Sequence, residues 1–344
     1  MLFETAEAFE KALAKLPVPN EVHRLAAARR QDRLTKPPGS LGRLEEIARH
    51  LAGWHVDGIP RAKRVKVAVF AGNHGVTAQG VSPYPASVTQ QMVANFQSGG
   101  AAINAISSSL GLELQVVPLD LDKPTNDIAI GPAMSAAETL AALNAGADVV
   151  DEASDILVLG EMGIGNTTIA AALCVASFGG EGKDWAGPGT GHDAEGIALK
   201  AAVIDKAVAR AGLIGREDQP TAFEIARQIG GRETTAIAGA ILAARHQRIP
   251  VILDGYVVTA SVAPMFANNP QIIDHCLAGH VSGEPAHEKA LRNMNIEPLL
   301  DLGMRLGEGT GAALATALVR AAVAAHNKMA TFEQASVENR PDAE

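Results

Sequence analysis

The chain has 344 residues, a length that suits one large domain or one domain with a smaller appendage. Its 47% hydrophobic residues, 34 glycines and 3% aromatic residues are typical of an α/β protein. A net charge of -9 argues against nucleic acid or an anionic membrane as a partner, and no apolar run reaches the roughly 20 residues of a membrane span. Cys174 and Cys276 lack metal-binding spacing and fit a reducing cytoplasm, so a cytoplasmic protein is expected.

The N-terminal segment reads as a helical appendage. Residues 2–55 are helical in pattern, with breaks at Pro17, at Pro19 and in residues 35–43, where two prolines and two glycines predict a defined loop. The first 16 residues are charged throughout and resemble an amphipathic helix, not a signal peptide. We therefore expect this segment to pack on a larger domain.

Short β-branched segments then alternate with helical segments. Strands are predicted at residues 65–70, 113–119, 156–159 and 251–254, with helices between them. Right-handed crossovers bring the connections that follow such strands to one edge of a parallel sheet. The sequence therefore predicts an α/β fold, a Rossmann-like three-layer arrangement in which helices flank a parallel sheet.

The connection after the first strand is long and polar. Residues 71–85 include Asn73, His74, Ser82 and Tyr84. Loops at the carboxyl end of parallel strands form the ligand sites of open α/β sheets, and a loop of this length is uncommon without a function. Taken alone, His74 reads as a hydrogen-bonded loop histidine.

A second connection, residues 160–168 (GEMGIGNTT), has the strand, glycine-rich turn and helix of a phosphate or dinucleotide cradle. It lacks the lysine of a Walker loop and the glycine spacing of a Rossmann fingerprint. Glu161, placed directly after the predicted strand and beside main-chain N–H groups, is interpreted as a functional carboxylate.

A third glycine-rich turn, residues 187–191 (GPGTG), precedes a predicted helix over residues 194–211 that carries Lys200. Backbone donors and one cation would form a phosphate grip in an otherwise acidic protein. A solvated helix lysine is an equally good interpretation of Lys200 at this point.

The last turn, residues 301–311 (DLGMRLGEGTG), runs directly into an alanine-rich helical segment. Its glycines allow turn conformations that other residues avoid, and the start of a helix favours an anion. Glu308 is therefore predicted to lie on a tight turn just before a helix.

Residues 280–287 contain two histidines and Glu284, but Gly283 and Pro285 break the helix that a metal site would need, so neither a metal nor a cofactor is predicted.

These motifs together resemble the nicotinate-nucleotide:dimethylbenzimidazole phosphoribosyltransferase family. The resemblance rests on residues 72–76 with 80–85, on 160–168, on 187–191 and on 301–311, and it extends from about residue 35 to about residue 329. It implies transfer of the phosphoribosyl group of nicotinate mononucleotide to 5,6-dimethylbenzimidazole, which gives α-ribazole 5′-phosphate and nicotinate for the lower loop of cobalamin. No cofactor is implied, and the family is usually a homodimer.

The resemblance also implies roles for individual residues. Glu308 would be the general base, and Glu161 would lie against the reacting centre with Gly163. The residues implied at the benzimidazole are Ser82, Tyr84, Gln90 or Gln91, and Met162. Those implied at the ribose and phosphate are Gly189, Thr190, Gly191, Lys200, Ser282, Arg305 and Leu306.

The family fold implies a division of the chain. Residues 1–60 and 312–335 would form a small helical domain from both chain ends, and residues 61–311 the α/β catalytic domain. The polar and acidic composition of residues 336–344 separately predicts a mobile tail. Two other functions stay open on the sequence. A nucleotide-binding oxidoreductase would also use glycine-rich turns, and a non-catalytic nucleotide sensor would need no general base.

Overall fold

The computed structural model of the chain describes residues 2–214 and 219–339. A single sheet of six parallel strands is found there, in the order β2-β1-β3-β4-β5-β6. Its strands are β1 Val65–Ala71, β2 Glu113–Pro118, β3 Ile156–Met162, β4 Val251–Leu253, β5 Cys276–Val281 and β6 Pro298–Asp301. The predicted α/β fold with a parallel sheet is confirmed.

Helices connect the strands and cover both faces of the sheet. They are α1 Ala6–Ala14, α2 Glu21–Arg33, α3 Arg43–Trp54, α4 Ser87–Gln97, α5 Ala102–Leu110, α6 Ala136–Asp148, α7 Asn166–Phe178, α8 Ala194–Ala211, α9 Ala222–Ile229, α10 Arg232–His246, α11 Tyr256–Asn268, α12 Pro285–Asn293, α13 Thr310–Lys328 and α14 Phe332–Ala335. Short 3₁₀ segments lie at Gly75–Gln79, Gly182–Asp184 and Pro270–Ile273. Within the described ranges, no helix is both long and apolar enough to cross a membrane.

Alternation along β3 explains the three layers. Leu157 and Leu159 face a core that contains residues of α6, α10 and α11, whereas Ile156 and Val158 face a second core that contains residues of α5 and α13. Because both faces are covered, the strand is apolar almost throughout, as expected for a buried parallel strand.

The strand order reverses between β1 and β3, since β2 lies on one side of β1 and the later strands lie on the other. Ala71 is paired with Met162, so the connections after these two strands leave the sheet at the same level. A crevice at such a reversal is where open α/β sheets bind their ligands. The fold therefore places residues 71–85 and 163–166 beside one another.

Two sequence predictions about the strands need correction. Strand β3 extends three residues beyond the predicted end, because Phe70 and Ala71 of β1 continue to pair with it, so Glu161 lies within the strand and not after it. Strands β5 and β6 were not predicted, because the β5 sequence CLAGHV includes glycine and histidine in place of an unbroken apolar run and the β6 sequence PLLD has only two apolar residues between a proline and an aspartate.

The two ends of the chain meet. Arg30 on α2 donates hydrogen bonds to the carbonyl oxygens of His326 and Met329 at the end of α13, and α3 also packs on α13. Helix α13 packs on β3, β4 and β5 as well. The division into two domains therefore stays a prediction, as does the mobility of the tail, of which residues 340–344 lie outside the described part.

Candidate active site

A cavity of about 290 Å³ opens at the carboxyl edge of the sheet. It is lined by the connections that follow β3, β4, β5 and β6, and by the glycine-rich turn before α8. Nine of the residues implied by the family resemblance line it: Tyr84, Glu161, Met162, Gly163, Gly189, Thr190, Ser282, Arg305 and Leu306. Turns that are far apart in sequence thus converge on one site.

The other implied residues surround this cavity or lie away from it. The Ser82 hydroxyl is 3.3 Å from the Thr190 hydroxyl at the rim. Gln90 and Gln91 are both exposed on α4 and neither lines the cavity. Gly191 and Lys200 are also absent from the lining, as is Glu308, whose neighbours Leu306 and Gly307 form part of the wall.

Glu161 is a half-buried carboxylate in the lining of the cavity. Its Oε2 accepts a hydrogen bond from the Asn166 amide at the start of α7. Burial, together with the negative charges of Asp254, Glu233 and Glu308, raises the pKa of Glu161 to about 8. At neutral pH this group is therefore mostly a neutral carboxylic acid, which can donate a hydrogen bond.

Glu308 lies on a left-handed turn, as the glycines of the sequence suggested. Gly307, Glu308 and Gly309 have φ angles of 83°, 63° and 84°, and α13 begins at the next residue. A left-handed conformation at a residue other than glycine costs roughly 1 kcal/mol or more and persists only where the surroundings impose it. The backbone of this turn packs directly on Gly160 of β3, which leaves no space for a side chain there.

The Glu308 side chain is 5% exposed, and its Oε2 has no hydrogen-bond partner among the described residues. Burial raises its pKa above the usual value, the Ile103 backbone N–H lowers it, and the Asp254 charge raises it. A carboxylate with a raised pKa is a better proton acceptor than a solvated one. The side chain thus has the properties of a general base.

Asp254, at the carboxyl end of β4, is fully buried beneath the Glu308 turn. Its two carboxylate oxygens accept hydrogen bonds from the N–H groups of Gly309 (3.1 Å) and Ala312 (2.9 Å). His280 Nε2 on β5 lies 3.4 Å from Asp254 Oδ1. The aspartate therefore joins the sheet to the first turn of α13, where the helix dipole favours a negative charge.

His74 forms a buried pair, not an ordinary loop contact. Its Nε2 lies 2.8 Å from Glu233 Oε1, and both side chains are completely buried. The pair lies where Gly72 and Gly163 approach each other, and a side chain at Gly163 would collide with the Gly72 carbonyl and with His74. These two glycines are therefore needed for close packing at the strand reversal.

Lys200 is 1% exposed, so its interpretation as a solvated lysine is wrong. Its Nζ donates hydrogen bonds to Thr167 Oγ1 (2.9 Å) and to the Gly187 carbonyl oxygen (2.8 Å). Burial lowers the pKa of Lys200 to about 8, and the negative charge of Glu284 opposes this shift by raising the pKa. An ammonium has three donors, so one N–H has no partner among the described residues and is free for an anion beside Gly189.

The buried side chain of His287 contacts Ser282 and fixes its position. His287 Nδ1 accepts a hydrogen bond from the Ser282 backbone N–H at 2.9 Å and lies 3.0 Å from the Ser282 hydroxyl. Its Nε2 lies 2.9 Å from the Thr259 hydroxyl, so the proton of the neutral ring is on Nε2. Burial lowers the pKa of His287 to about 3, which keeps the ring neutral.

Sequence reasoning missed several members of this site. Glu233 was not singled out in the sequence, and Glu284 was considered only within a rejected metal motif, yet Glu284 lines the cavity with a pKa that burial raises. Asp254 carried a usable signal, a charged residue directly after a buried strand. Across residues 2–214 and 219–339, no group of three or more His, Cys, Asp or Glu side chains could hold a metal ion.

Comparison with known proteins agrees with this geometry. A family model described as phosphoribosyltransferase matches residues 16–337. The nicotinate-nucleotide–dimethylbenzimidazole phosphoribosyltransferase of Novosphingobium aromaticivorans is 55% identical over 97% of this chain and 98% of its own length. The Rhodobacter capsulatus protein of the same name is 54% identical over 94% and 95%.

A solved structure is also similar. The crystal structure of the nicotinate-nucleotide–dimethylbenzimidazole phosphoribosyltransferase from Thermus thermophilus matches with a TM-score of 0.85 and 38% identity, over 93% of this chain and 99% of that one. The family match over residues 16–337 spans the whole sheet and every turn that lines the cavity. The chain belongs to the nicotinate-nucleotide:dimethylbenzimidazole phosphoribosyltransferase family.

Proposed function

We propose that this enzyme transfers the phosphoribosyl group of nicotinate mononucleotide to 5,6-dimethylbenzimidazole. The products are α-ribazole 5′-phosphate, the nucleotide of the cobalamin lower loop, and nicotinate. The observation that carries the proposal is the Glu308 carboxylate, which is buried on an imposed left-handed turn beside the wall of the cavity. Family membership and the names of the close relatives support the same reaction.

In the proposed reaction, one ring nitrogen of dimethylbenzimidazole attacks the anomeric carbon of the ribose. The bond from that carbon to the pyridinium nitrogen breaks, and its electron pair returns to nicotinate. The proton on the other ring nitrogen passes to Glu308, whose raised pKa suits it to that task. Nicotinate departs from a cationic bond, so its departure needs no acid.

The cavity offers surfaces for both substrates. Arg305 and the turn at Gly189 line it, and Lys200 lies beside Gly189 without lining the cavity, so these cations and backbone amides suit a phosphate. Tyr84, Met162 and Leu306 of the lining offer apolar surface for a flat aromatic base. The family resemblance supports Ser82 and one of Gln90 and Gln91 at the border of that base. The remaining task is to hold both rings in line, which supplies much of the catalysis in such transfers.

Three wider proposals follow from membership of the family. We propose that the protein acts as a homodimer in the cytoplasm. We propose that the helices at the two chain ends form its small domain. Sedimentation of the purified full chain tests the first of these, and a monomer at working concentration would contradict it.

The experiment that tests the function is product analysis. Nicotinate mononucleotide and dimethylbenzimidazole are incubated with the protein, and the products are identified by chromatography and by proton NMR of the anomeric position. We expect nicotinate and an α-configured nucleotide in equal amounts. Nicotinate release without the base would indicate a nucleosidase. Binding without turnover would indicate a sensor, and hydride transfer would indicate an oxidoreductase.

A further inference from the structure

We propose that Asp254 is a positioning residue that fixes the Glu308 carboxylate for proton transfer. The inference rests on the proposed function, in which Glu308 accepts the proton of the attacking base. Asp254 does not line the cavity, so it acts on the reaction through its neighbours, and the Glu308 turn is the part of the site to which it is hydrogen-bonded.

The geometry makes Asp254 the anchor of that turn on the side of α13. Its Oδ2 accepts a hydrogen bond from Gly309, the residue after Glu308, and its Oδ1 accepts one from Ala312. On the other side, the carbonyl group of Glu308 lies against Gly160 of β3. The turn is therefore held between two neighbouring strands, β3 and β4.

Such an anchor is needed because the turn's own hydrogen bonds, from the Thr310 N–H (3.0 Å) and hydroxyl (2.7 Å) to the Gly307 carbonyl oxygen, do not join it to the sheet. Three consecutive left-handed residues are found at 307–309, and only the central one has a side chain. Glycines on both sides of Glu308 could relax to many other conformations, because glycine is the least restricted residue. Without the Asp254 bonds, the Glu308 carboxylate would sample several positions at the cavity wall.

The charge of Asp254 provides a second, separable effect. It raises the pKa of Glu308, whereas α5, which also packs against α13, contributes only the Ile103 backbone N–H. The other ionisable groups of this cluster are Glu161 of β3, Glu233 of α10 and His280 of β5. Asp254→Asn would remove one negative charge and so lower the pKa of Glu308.

The test compares Asp254→Asn with the wild-type protein in base-dependent nicotinate release between pH 5 and pH 9. We expect kcat to fall roughly 100-fold, because a small displacement of a catalytic group has an effect of that size. The KM for nicotinate mononucleotide should change less than about threefold, since uniform binding is not affected. The acid limb of the pH profile should move to lower pH.

Asp155→Asn is the matched control. Asp155 is also a buried aspartate at a strand end, and its Oδ2 accepts hydrogen bonds from the N–H groups of Lys63 (2.9 Å) and Arg64 (2.8 Å). It lies at the amino edge of the sheet, away from the cavity. Its replacement should lower the thermal midpoint without a change in kcat or in the acid limb.

Two results with Asp254→Asn would overturn the proposal: a wild-type kcat, or a lower kcat with an unmoved acid limb, which would mark a merely structural aspartate. If this variant does not fold, Asp254→Glu keeps the charge and displaces the hydrogen bonds. It should then lower kcat with the acid limb unmoved, and a wild-type kcat would refute the inference. A wild-type protein without base-dependent release would instead refute the proposed function.

Discussion

Binding of nicotinate mononucleotide should take up a proton, because the phosphate would recharge Lys200. The pKa of this buried lysine falls from its usual 10.5 to about 8 in the free protein. A phosphate dianion beside Nζ favours the charged ammonium and so raises the pKa again. If binding restores the usual value, the difference of about 2.5 corresponds to roughly 3 kcal/mol of coupling between the proton and the ligand.

The expected uptake follows from these two values. At pH 9 the free lysine is charged in about one tenth of the molecules and the bound lysine in nearly all, so about 0.9 proton is taken up per ligand. Below pH 7 the lysine is charged in both states, and this uptake vanishes. The Kd should accordingly rise nearly tenfold per pH unit above pH 8, up to the pKa of the bound state.

The measurement is calorimetric titration at pH 9 in two buffers with different ionisation enthalpies. Lys200→Met should abolish the uptake and weaken binding. Lys206→Met is the matched control, because Lys206 is exposed on the same helix, and it should behave as the wild type. A wild-type protein that binds the nucleotide at pH 9 without proton uptake would refute the reasoning.

Two further substitutions probe the carboxylates. Gly307→Ala forces a side chain into a left-handed position against the Glu161 carboxyl group, whereas Gly303→Ala meets the same backbone strain in open space. Urea unfolding should show that Gly303→Ala lowers the free energy of unfolding by about 1 kcal/mol and that Gly307→Ala lowers it by more. Only Gly307→Ala should also reduce kcat, by about tenfold or more. Equal kcat values for the two variants would contradict this account. Glu161→Gln imitates the neutral form of the acid, so we expect a near-wild-type kcat at pH 7. At saturating nucleotide, the kcat of the wild type should fall as the pH rises through about 8, because Glu161 then loses its proton. The kcat of Glu161→Gln should stay constant over the same range. An alkaline limb that persists in Glu161→Gln would show that another group causes it.

The sequence was most informative where one residue type had one structural use. Glycines around Glu308 predicted the tight turn before α13, because glycine adopts turn conformations that other residues avoid. Short runs rich in apolar, β-branched residues predicted β1 and β3, because both faces of these strands are largely buried. These features depend on residues that are close together in the sequence, so a single sequence can predict them.

Contacts between segments that are far apart in the sequence could not be predicted from the sequence alone. Nothing near Lys200 in the sequence distinguishes a buried lysine from a surface lysine, since its partners Thr167 and Gly187 come from other segments. The His74–Glu233 pair joins residues more than 150 positions apart, and only the packing of α10 beside β1 brings them together. The family resemblance indicated that some of these residues belong to the site, and the structure then identified the residues that they contact.

The central claim is that Glu308 accepts the proton in a base-dependent phosphoribosyl transfer. The most direct measurement is nicotinate release from nicotinate mononucleotide, with and without dimethylbenzimidazole, by the wild type, by Glu308→Ala and by the exposed control Glu288→Ala. The account predicts base-dependent release by the wild type and the control, and a loss of 100-fold or more, roughly the contribution of a general base, in Glu308→Ala with nucleotide binding retained. Release by Glu308→Ala within a fewfold of the wild-type rate would contradict it.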